Sequence, residues 1–265
     1  MKIGIIGAGF VGSATASVWK PHFDVLIHDK VPEKSTHRFS ETARCDIVFI
    51  CLPTPMSKDG SCDTSALDEC FDSLAKLKAN LLEGEVIPLY VIRSTIPVGY
   101  TRWVANQFNL NVCHNPEALT ARTAHMDAHT PARILIGSER GICVDLFNIY
   151  RNRFPGCQVI HTHSKVTEAA KLACNSFFAV KISFFNELRA WALQLDIDWD
   201  DLLAAILSDG RIAYSHTEVP GPDGKLAYGG TCLPKDIHNL LHLMKADDVR
   251  CGVIKAAAEW GRVNE

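Results

Sequence analysis

The stretch that most restricts the fold lies at the start of the chain. The short apolar run Lys2 to Ile6 enters Gly7-Ala8-Gly9-Phe10-Val11-Gly12, and Ser13 to Trp19 then reads as a helix. A strand, a glycine turn and a helix in that order open a βαβ unit able to hold a dinucleotide. Gly7 provides the tight turn, Gly9 lets a pyrophosphate approach the backbone, and Gly12 lets the helix pack closely on the strand. The helix N-terminus offers amides and a partial positive charge to phosphate, and Phe10 and Val11 of the loop are counted with the cofactor site. A second strand, Val25 to His28, ends in Asp29, where a carboxylate can accept bonds from a ribose 2′-OH. That choice favours NAD over NADP, although Lys30 beside it leaves room for a 2′-phosphate.

Further strands alternate with helices, as in a doubly wound parallel sheet. Asp46 to Leu52 reads as a strand stopped by Pro53-Thr54-Pro55, which leaves Thr54 at its carboxyl edge. A helix follows from about Ala66 to Leu77. The strand Val86 to Ile92 ends in Arg93-Ser94-Thr95-Ile96-Pro97-Val98-Gly99, placing Thr95 at the same edge. Two more strands, Val112 onward and Arg133 to Gly137, put Glu117 there as well, and Gln158 to His161 closes the first domain. In this architecture ligands bind at the carboxyl ends of the strands. His161 and His163 are two residues apart and would point to opposite faces of a strand, so they are not read as a metal site.

From about Lys165 to Leu195 there is no proline or glycine, and apolar residues recur at helical spacing. One long helix of about 45 Å is expected there. Glu168, Lys171 and Asn175 share one of its faces. Glu168 and Lys171 read most simply as an exposed ion pair, whereas Asn175, set among Leu172, Phe177 and Phe178, needs partners for its amide. A shorter helix at Trp199 to Leu207, then Gly210-Arg211-Ile212 and a loop rich in glycine and proline, lead to Gly229-Gly230-Thr231-Cys232-Leu233-Pro234-Lys235-Asp236. The glycine pair lets the backbone approach a ligand, and the cysteine has a cation and a base close behind it, a setting that favours the thiolate. Helices are expected from Asp236 and over Val249 to Val263. The fold class expected is therefore α/β, a Rossmann-like doubly wound sheet over residues 1–164 followed by a helical central domain over 165–265.

A formal net charge of −3 and the lack of any long basic run argue against nucleic acid or an anionic membrane as the main partner and for a small molecule. The apolar run before Gly7 is too short for a secretory signal and no later stretch reaches membrane-spanning length, so a cytoplasmic protein is expected. The ten cysteines form no Cys-x-x-Cys pair, and free thiols are expected.

The chain resembles the nucleotide-sugar 6-dehydrogenases, the UDP-glucose/GDP-mannose dehydrogenase family. The resemblance rests on the glycine loop, Pro53-Thr54-Pro55, Ser94 to Gly99, Asn115-Pro116-Glu117, Glu168 to Asn175, Asn186-Glu187 and Gly229 to Asp236, in that order. It implies NAD-dependent oxidation of the primary alcohol of a sugar nucleotide to a carboxylate by two hydride transfers. Lys171 and Asn175 suit the developing oxyanion, and a thiolate at Cys232 suits the second oxidation through a thiohemiacetal and a thioester. By resemblance Asp236, Glu117 and Thr95 position and activate the hydrolytic water. Thr54 and Thr95 lie on the cofactor side, and Glu117, Lys171, Asn175, Arg211 and Gly229 face the substrate. Arg211 is placed where the family's arginine reaches a neighbouring subunit's substrate, with Ala213 in place of a glycine, and a homodimer through the helical domain is expected. The family's second active-site carboxylate is replaced by Ala121, and its further nucleotide-binding domain would be approached where this sequence ends. Two other readings stay open: a β-hydroxyacid dehydrogenase performing one hydride transfer, and an NAD-binding protein without turnover.

Overall fold

The computed structural model describes residues 1–80, 86–120, 122–139 and 143–261. In chain order its elements are β1 (Lys2–Ile6), α1 (Phe10–Trp19), β2 (Asp24–His28), α2 (Phe39–Thr42), β3 (Ile47–Ile50), α3 (Ser65–Lys78), β4 (Leu89–Ile92), α4 (Tyr100–Phe108), β5 (Asn111–His114), α5 (Ala124–His129), β6 (Arg133–Gly137), α6 (Val144–Arg153), β7 (Gln158–Thr162), α7 (Ser164–Gln194), α8 (Trp199–Leu207), α9 (Leu233–Ala246) and α10 (Gly252–Trp260). They fold as two compact units, one of Met1–Pro55 with Asp63–Lys171 and one of Met56–Cys62 with Leu172–Glu265.

In the first unit, the two-residue period of the strands sorts the core into layers. Ile3, Ile5, Ile47, Phe49, Leu89, Val91 and Cys113 enter one apolar layer, which Trp19, Leu146 and Tyr150 complete from the helices. Their alternates Ile6, Val48, Ile50, Tyr90, Ile92 and Val112 enter a second layer with Leu67, Phe71, Leu74 and Val104. Because both faces are covered, these strands are apolar throughout rather than alternating with polar residues. The seven strands run β2-β1-β3-β4-β5-β6-β7. All neighbours pair in parallel except β5 and β6, which meet antiparallel at His114 and Gly137. The expected parallel sheet is thus corrected at one junction. Strand order reverses between β1 and β3, and this switch point is where a crevice opens in such sheets.

Two strands, β3 and β4, are shorter than the apolar runs that announced them. The run read as a strand over Asp46 to Leu52 pairs only over Ile47–Ile50, because Cys51 and Leu52 already lead into the prolines. Helix α7 spans 31 residues, beginning one residue before the expected start. The expectation of an exposed Glu168–Lys171 ion pair is wrong. Glu168 is fully buried, and its carboxylate accepts the Gly99 N–H at 2.5 Å and the Thr101 N–H at 2.9 Å. It caps α4, whose N-cap Gly99 has φ +96° and no side chain with which to do so.

The second unit has a small core of Ala179, Tyr228, Ile237, Leu241, Ala257 and Ala258. The Tyr228 hydroxyl donates to the Ala257 carbonyl at 2.8 Å, tying the loop before Cys232 to α10. Asn186 of α7 holds the same loop by accepting the Ala227 N–H at 2.9 Å. The detour Met56–Cys62 closes on itself through an antiparallel bridge between its ends, and Gly60 at its turn (φ +86°) lies against His238 of α9.

Candidate active site

The glycine loop of the first unit is built as its sequence requires. Gly7 has φ +91°, and a Cβ there would lie 2.6 Å from the Cys51 carbonyl oxygen; a Cβ on Gly12 would lie 1.8 Å from the Gly7 carbonyl oxygen. Both positions admit only glycine. Around Gly9 there is open space, and no side chain caps α1 behind it, so none competes for the first-turn amides of Phe10 and Val11. A cleft of about 480 Å³ opens beside that turn, lined by Phe10, Ser13 and residues 122–126. Asp29, at the end of β2, accepts the Ala8 N–H at 2.6 Å and the Val31 N–H at 2.8 Å. Burial works against its ionisation, but those amides outweigh it and hold the carboxyl below its usual range, helped by Lys34 and His28. The ionised group keeps lone pairs for ribose hydroxyls while bracing the loop. Lys30 beside it is exposed. These features fit a dinucleotide at the switch point.

The other strand ends are stitched together. Thr54, almost wholly buried, donates its hydroxyl to the Thr95 carbonyl at 2.8 Å, and Ser94 donates to the Leu52 carbonyl at 2.5 Å. Thr95 is buried at the same edge. Glu117 and Lys171 form a buried ion pair at 2.9 Å, each side chain only 9% exposed. The second Glu117 oxygen accepts the Leu119 N–H at 2.6 Å. Burial disfavours the Glu117 anion, yet Lys171, the Leu119 amide and Arg93 more than offset it and hold the pKa below the ordinary value. Ala121 lies outside the described residues.

In the second unit Cys232 is the N-cap of α9, part-exposed, with its thiol 3.8 Å from the Thr231 hydroxyl. Pro234 occupies the first helical turn, where a missing N–H costs nothing. The neighbouring cation and base, read in sequence as serving the thiol, serve each other: Lys235 donates to Asp236 Oδ1. Asp236 is 1% exposed, and its Oδ2 accepts from Asn175 Nδ2 at 2.6 Å. Gly229 is part-buried, and Gly230 follows at φ +77°. Arg211 is exposed and locked in a bidentate pair with Asp209, at 2.5 and 2.7 Å. Glu117 and Asp236 were both expected in the site, but their pairing with Lys171 and Asn175 left no signal in the sequence. Lys171 and Asn175, expected to share one task, are each committed to a carboxylate, Glu117 and Asp236.

A family model described as the NAD binding domain of the UDP-glucose/GDP-mannose dehydrogenase family matches residues 29–153, and the central domain of the same family matches residues 165–264. The chain belongs to the UDP-glucose/GDP-mannose dehydrogenase family. That family is one of NAD-dependent dehydrogenases, and the glycine loop and Asp29 of this chain are suited to hold that cofactor. UDP-glucose 6-dehydrogenase of Campylobacter jejuni is 26% identical over the whole of this chain and 73% of its own length. The enzyme of the same name from Pseudomonas aeruginosa is 26% identical over 97% of this chain and 64% of its own length. The Rickettsia typhi enzyme is 31% identical over 87% of this chain and 52% of its own. A solved UDP-glucose dehydrogenase from Pyrobaculum islandicum superposes with a TM-score of 0.84 at 23% identity, covering 97% of this chain and 67% of that one. The chain thus spans about half to three quarters of these family members. Among the described residues no helix is long and apolar enough to cross a membrane.

One buried group behind the strand ends makes stability depend on pH. His114 is fully buried, with Nδ1 2.9 Å from the Thr167 hydroxyl. Burial pushes its pKa down to about 3; the Ser94 carbonyl opposes the shift, and Lys171 and Arg93 add to it. The unfolded chain takes up this proton near pH 6.5 and the folded chain does not. Stability is therefore unaffected above about pH 6.5 and falls at about 1.4 kcal/mol per pH unit as pH drops from there toward 3. Urea unfolding of wild type and His114→Gln should show a stability difference that shifts in favour of the variant by that slope. A difference constant across about pH 4 to 6.5 would contradict the assignment.

Proposed function

We propose that this protein oxidises the primary alcohol of a nucleotide sugar to the carboxylate, with Cys232 as covalent nucleophile. The observation that carries the reading is the arrangement at the start of α9: a part-exposed thiol at the helix N-cap, one turn ahead of a buried Asp236 held by Lys235 and Asn175. A helix N-terminus favours negative charge, which suits a thiolate and the oxyanion formed when it adds to a carbonyl. The names of the family relatives, UDP-glucose 6-dehydrogenases, supply the substrate class.

Bound NAD would supply the hydride acceptor for both oxidations. The chain's own groups account for the rest. Solvent water takes the alcohol proton, Lys171 beside Glu117 offers a positive charge to the alkoxide so formed, and loss of hydride from the carbinol carbon gives the aldehyde. Addition of the Cys232 sulfur to the aldehyde carbon breaks the C=O π bond and gives a thiohemiacetal. Departure of hydride from that carbon restores C=O as a thioester. Water then cleaves the C–S bond, releasing the carboxylic acid and regenerating the thiol. Asp236, or Glu117 with Thr95, takes the water proton. Asn175, whose amide already donates to Asp236, aligns that carboxylate.

A second reading is a single-step β-hydroxyacid dehydrogenase. A solved 3-hydroxyisobutyrate dehydrogenase from Mycobacterium tuberculosis is matched over 91% of its length at a TM-score of 0.74, though at 18% identity this speaks to fold. Incubation with NAD and UDP-glucose, GDP-mannose or UDP-N-acetylmannosamine separates the two. Two NADH per sugar are expected, with Cys232→Ser stopping the reaction or trapping a partly oxidised species. One NADH per substrate with an unimpaired serine variant would sink the thioester route, and tight NAD binding without turnover would leave a binding protein.

The helical unit also bears on assembly. Phe177, Phe184 and Trp191 recur at seven-residue intervals on α7 and are 61%, 52% and 58% exposed. A stripe of large apolar side chains at that spacing suits helix-to-helix packing between two copies of the chain. Light scattering should return a dimer for the wild type and a monomer for Phe184→Glu with Trp191→Glu. A wild-type monomer at working concentration would count against it.

A further inference from the structure

One buried cation of the first unit has no part in the reaction just described. Arg93 follows β4 directly and is 8% exposed. Its Nη1 donates to Asn115 Oδ1 at 2.5 Å, to the Asn115 carbonyl at 3.2 Å and to the Tyr150 hydroxyl at 3.3 Å. Each of these acceptors is neutral, no carboxylate pairs with the guanidinium among the described residues, and its Nε is buried without a partner there. A buried charge of this kind is costly unless it does something that a neutral side chain could not.

Its position says what that is. The Arg93 N–H bonds to the Ile50 carbonyl and the Asn115 N–H to the Ile92 carbonyl, both at 2.9 Å, so Arg93 and Asn115 continue the sheet ladder past the ends of β4 and β5. Asn115 is held from three further sides. The Tyr150 hydroxyl donates to its Oδ1 at 2.6 Å, its Nδ2 donates to the Leu135 carbonyl at 2.6 Å, and Arg93 grips both of its oxygens. Two residues on, past a proline that restricts the backbone, stands Glu117. We propose that Arg93 is a positioning residue for Glu117: it locks Asn115 to the carboxyl end of β4, so fixing the backbone that presents Glu117 to Lys171, and supplies a second positive charge toward that carboxylate.

The electrostatics run the same way. The charged and titratable groups around this carboxylate are Lys171 from α7, Arg93 behind β4, and Cys51 behind β3; Arg93 in turn faces His114 of β5 and Tyr150 of α6. Burial pushes the Cys51 thiol and the Tyr150 phenol each up to about 12, and His114 stays neutral, so none of the three brings charge near neutral pH. Lys171 and Arg93 are the two cations that set the Glu117 carboxylate.

The inference rests on the proposed reaction only for its effect on rate, and its test has a reading that does not need turnover. The Glu117 carboxyl is titrated by carbon-13 NMR, assigned by its loss in Glu117→Gln, in wild type, Arg93→Met and Arg93→Lys. In Arg93→Met the Glu117 pKa rises toward the ordinary carboxylate range, while NADH affinity stays near wild type. Arg93→Lys retains the charge but cannot grip both Asn115 oxygens, so the rise is smaller. Where turnover is measurable, kcat/KM in Arg93→Met falls on the order of a hundredfold, through kcat rather than KM, and its acid limb moves with the titration. A Glu117 titration unmoved in a folded Arg93→Met overturns the proposal. Should that variant not fold, an unmoved titration in Arg93→Lys overturns it equally. A moved titration in a protein that oxidises nothing would uphold the positioning role and refute the proposed reaction.

Discussion

The ion pair between Glu117 and Lys171 is the constraint on which the first unit's polar edge depends. Two charges nine-tenths removed from water survive only if their mutual attraction and added hydrogen bonds exceed the cost of desolvation. Here the pair is 2.9 Å apart, and the Leu119 amide takes the second carboxylate oxygen. Removing Lys171 would leave the buried Glu117 carboxylate without its ion-pair partner, at a cost of about 3–5 kcal/mol. Around this pair the fold has placed a laced set of strand ends, Thr54 to Thr95, Ser94 to Leu52, and Arg93 to Asn115. Such lacing keeps the edge at which ligands bind rigid while the apolar strands behind it supply stability.

The second unit repeats the device with different chemistry. Asp236 is buried and tied on one side by Lys235 and on the other by Asn175, so its carboxylate is oriented rather than mobile. The thiol one turn earlier stands at a helix start, where backbone amides lack intrahelical partners. Asn175 and Lys171 are four residues apart on one continuous helix, and each is anchored to a carboxylate of the unit to which it belongs. The helix therefore contributes one polar side chain of the proposed chemistry to each unit.

Much of this was legible in the sequence, because periodicity and glycine placement report directly on local structure. The glycine loop, Asp29, the length of α7 and the strand ends at Thr54, Thr95 and Glu117 follow from patterns spanning a few residues. What escaped were pairings between distant residues. Nothing near Glu168 in the sequence says that it caps a helix that begins at Tyr100, and nothing near Asn175 names Asp236 as its partner. Arg93 did leave a trace, since a charged residue directly after a fully buried strand must find acceptors, but only the folded chain shows them to be Asn115 and Tyr150. The antiparallel junction of β5 and β6 was hidden for a related reason: buried strands look alike in either direction.

In the proposed reaction Cys232 bonds covalently to the substrate carbon during oxidation. The measurement closest to it is mass spectrometry of the Cys232 peptide after acid quenching of the Asp236→Asn variant during turnover with NAD and a nucleotide sugar. An acyl adduct of the oxidised sugar nucleotide on Cys232, lost on treatment with hydroxylamine, is expected. Carboxylate product formed while Cys232 stays unmodified at every quench time would contradict it.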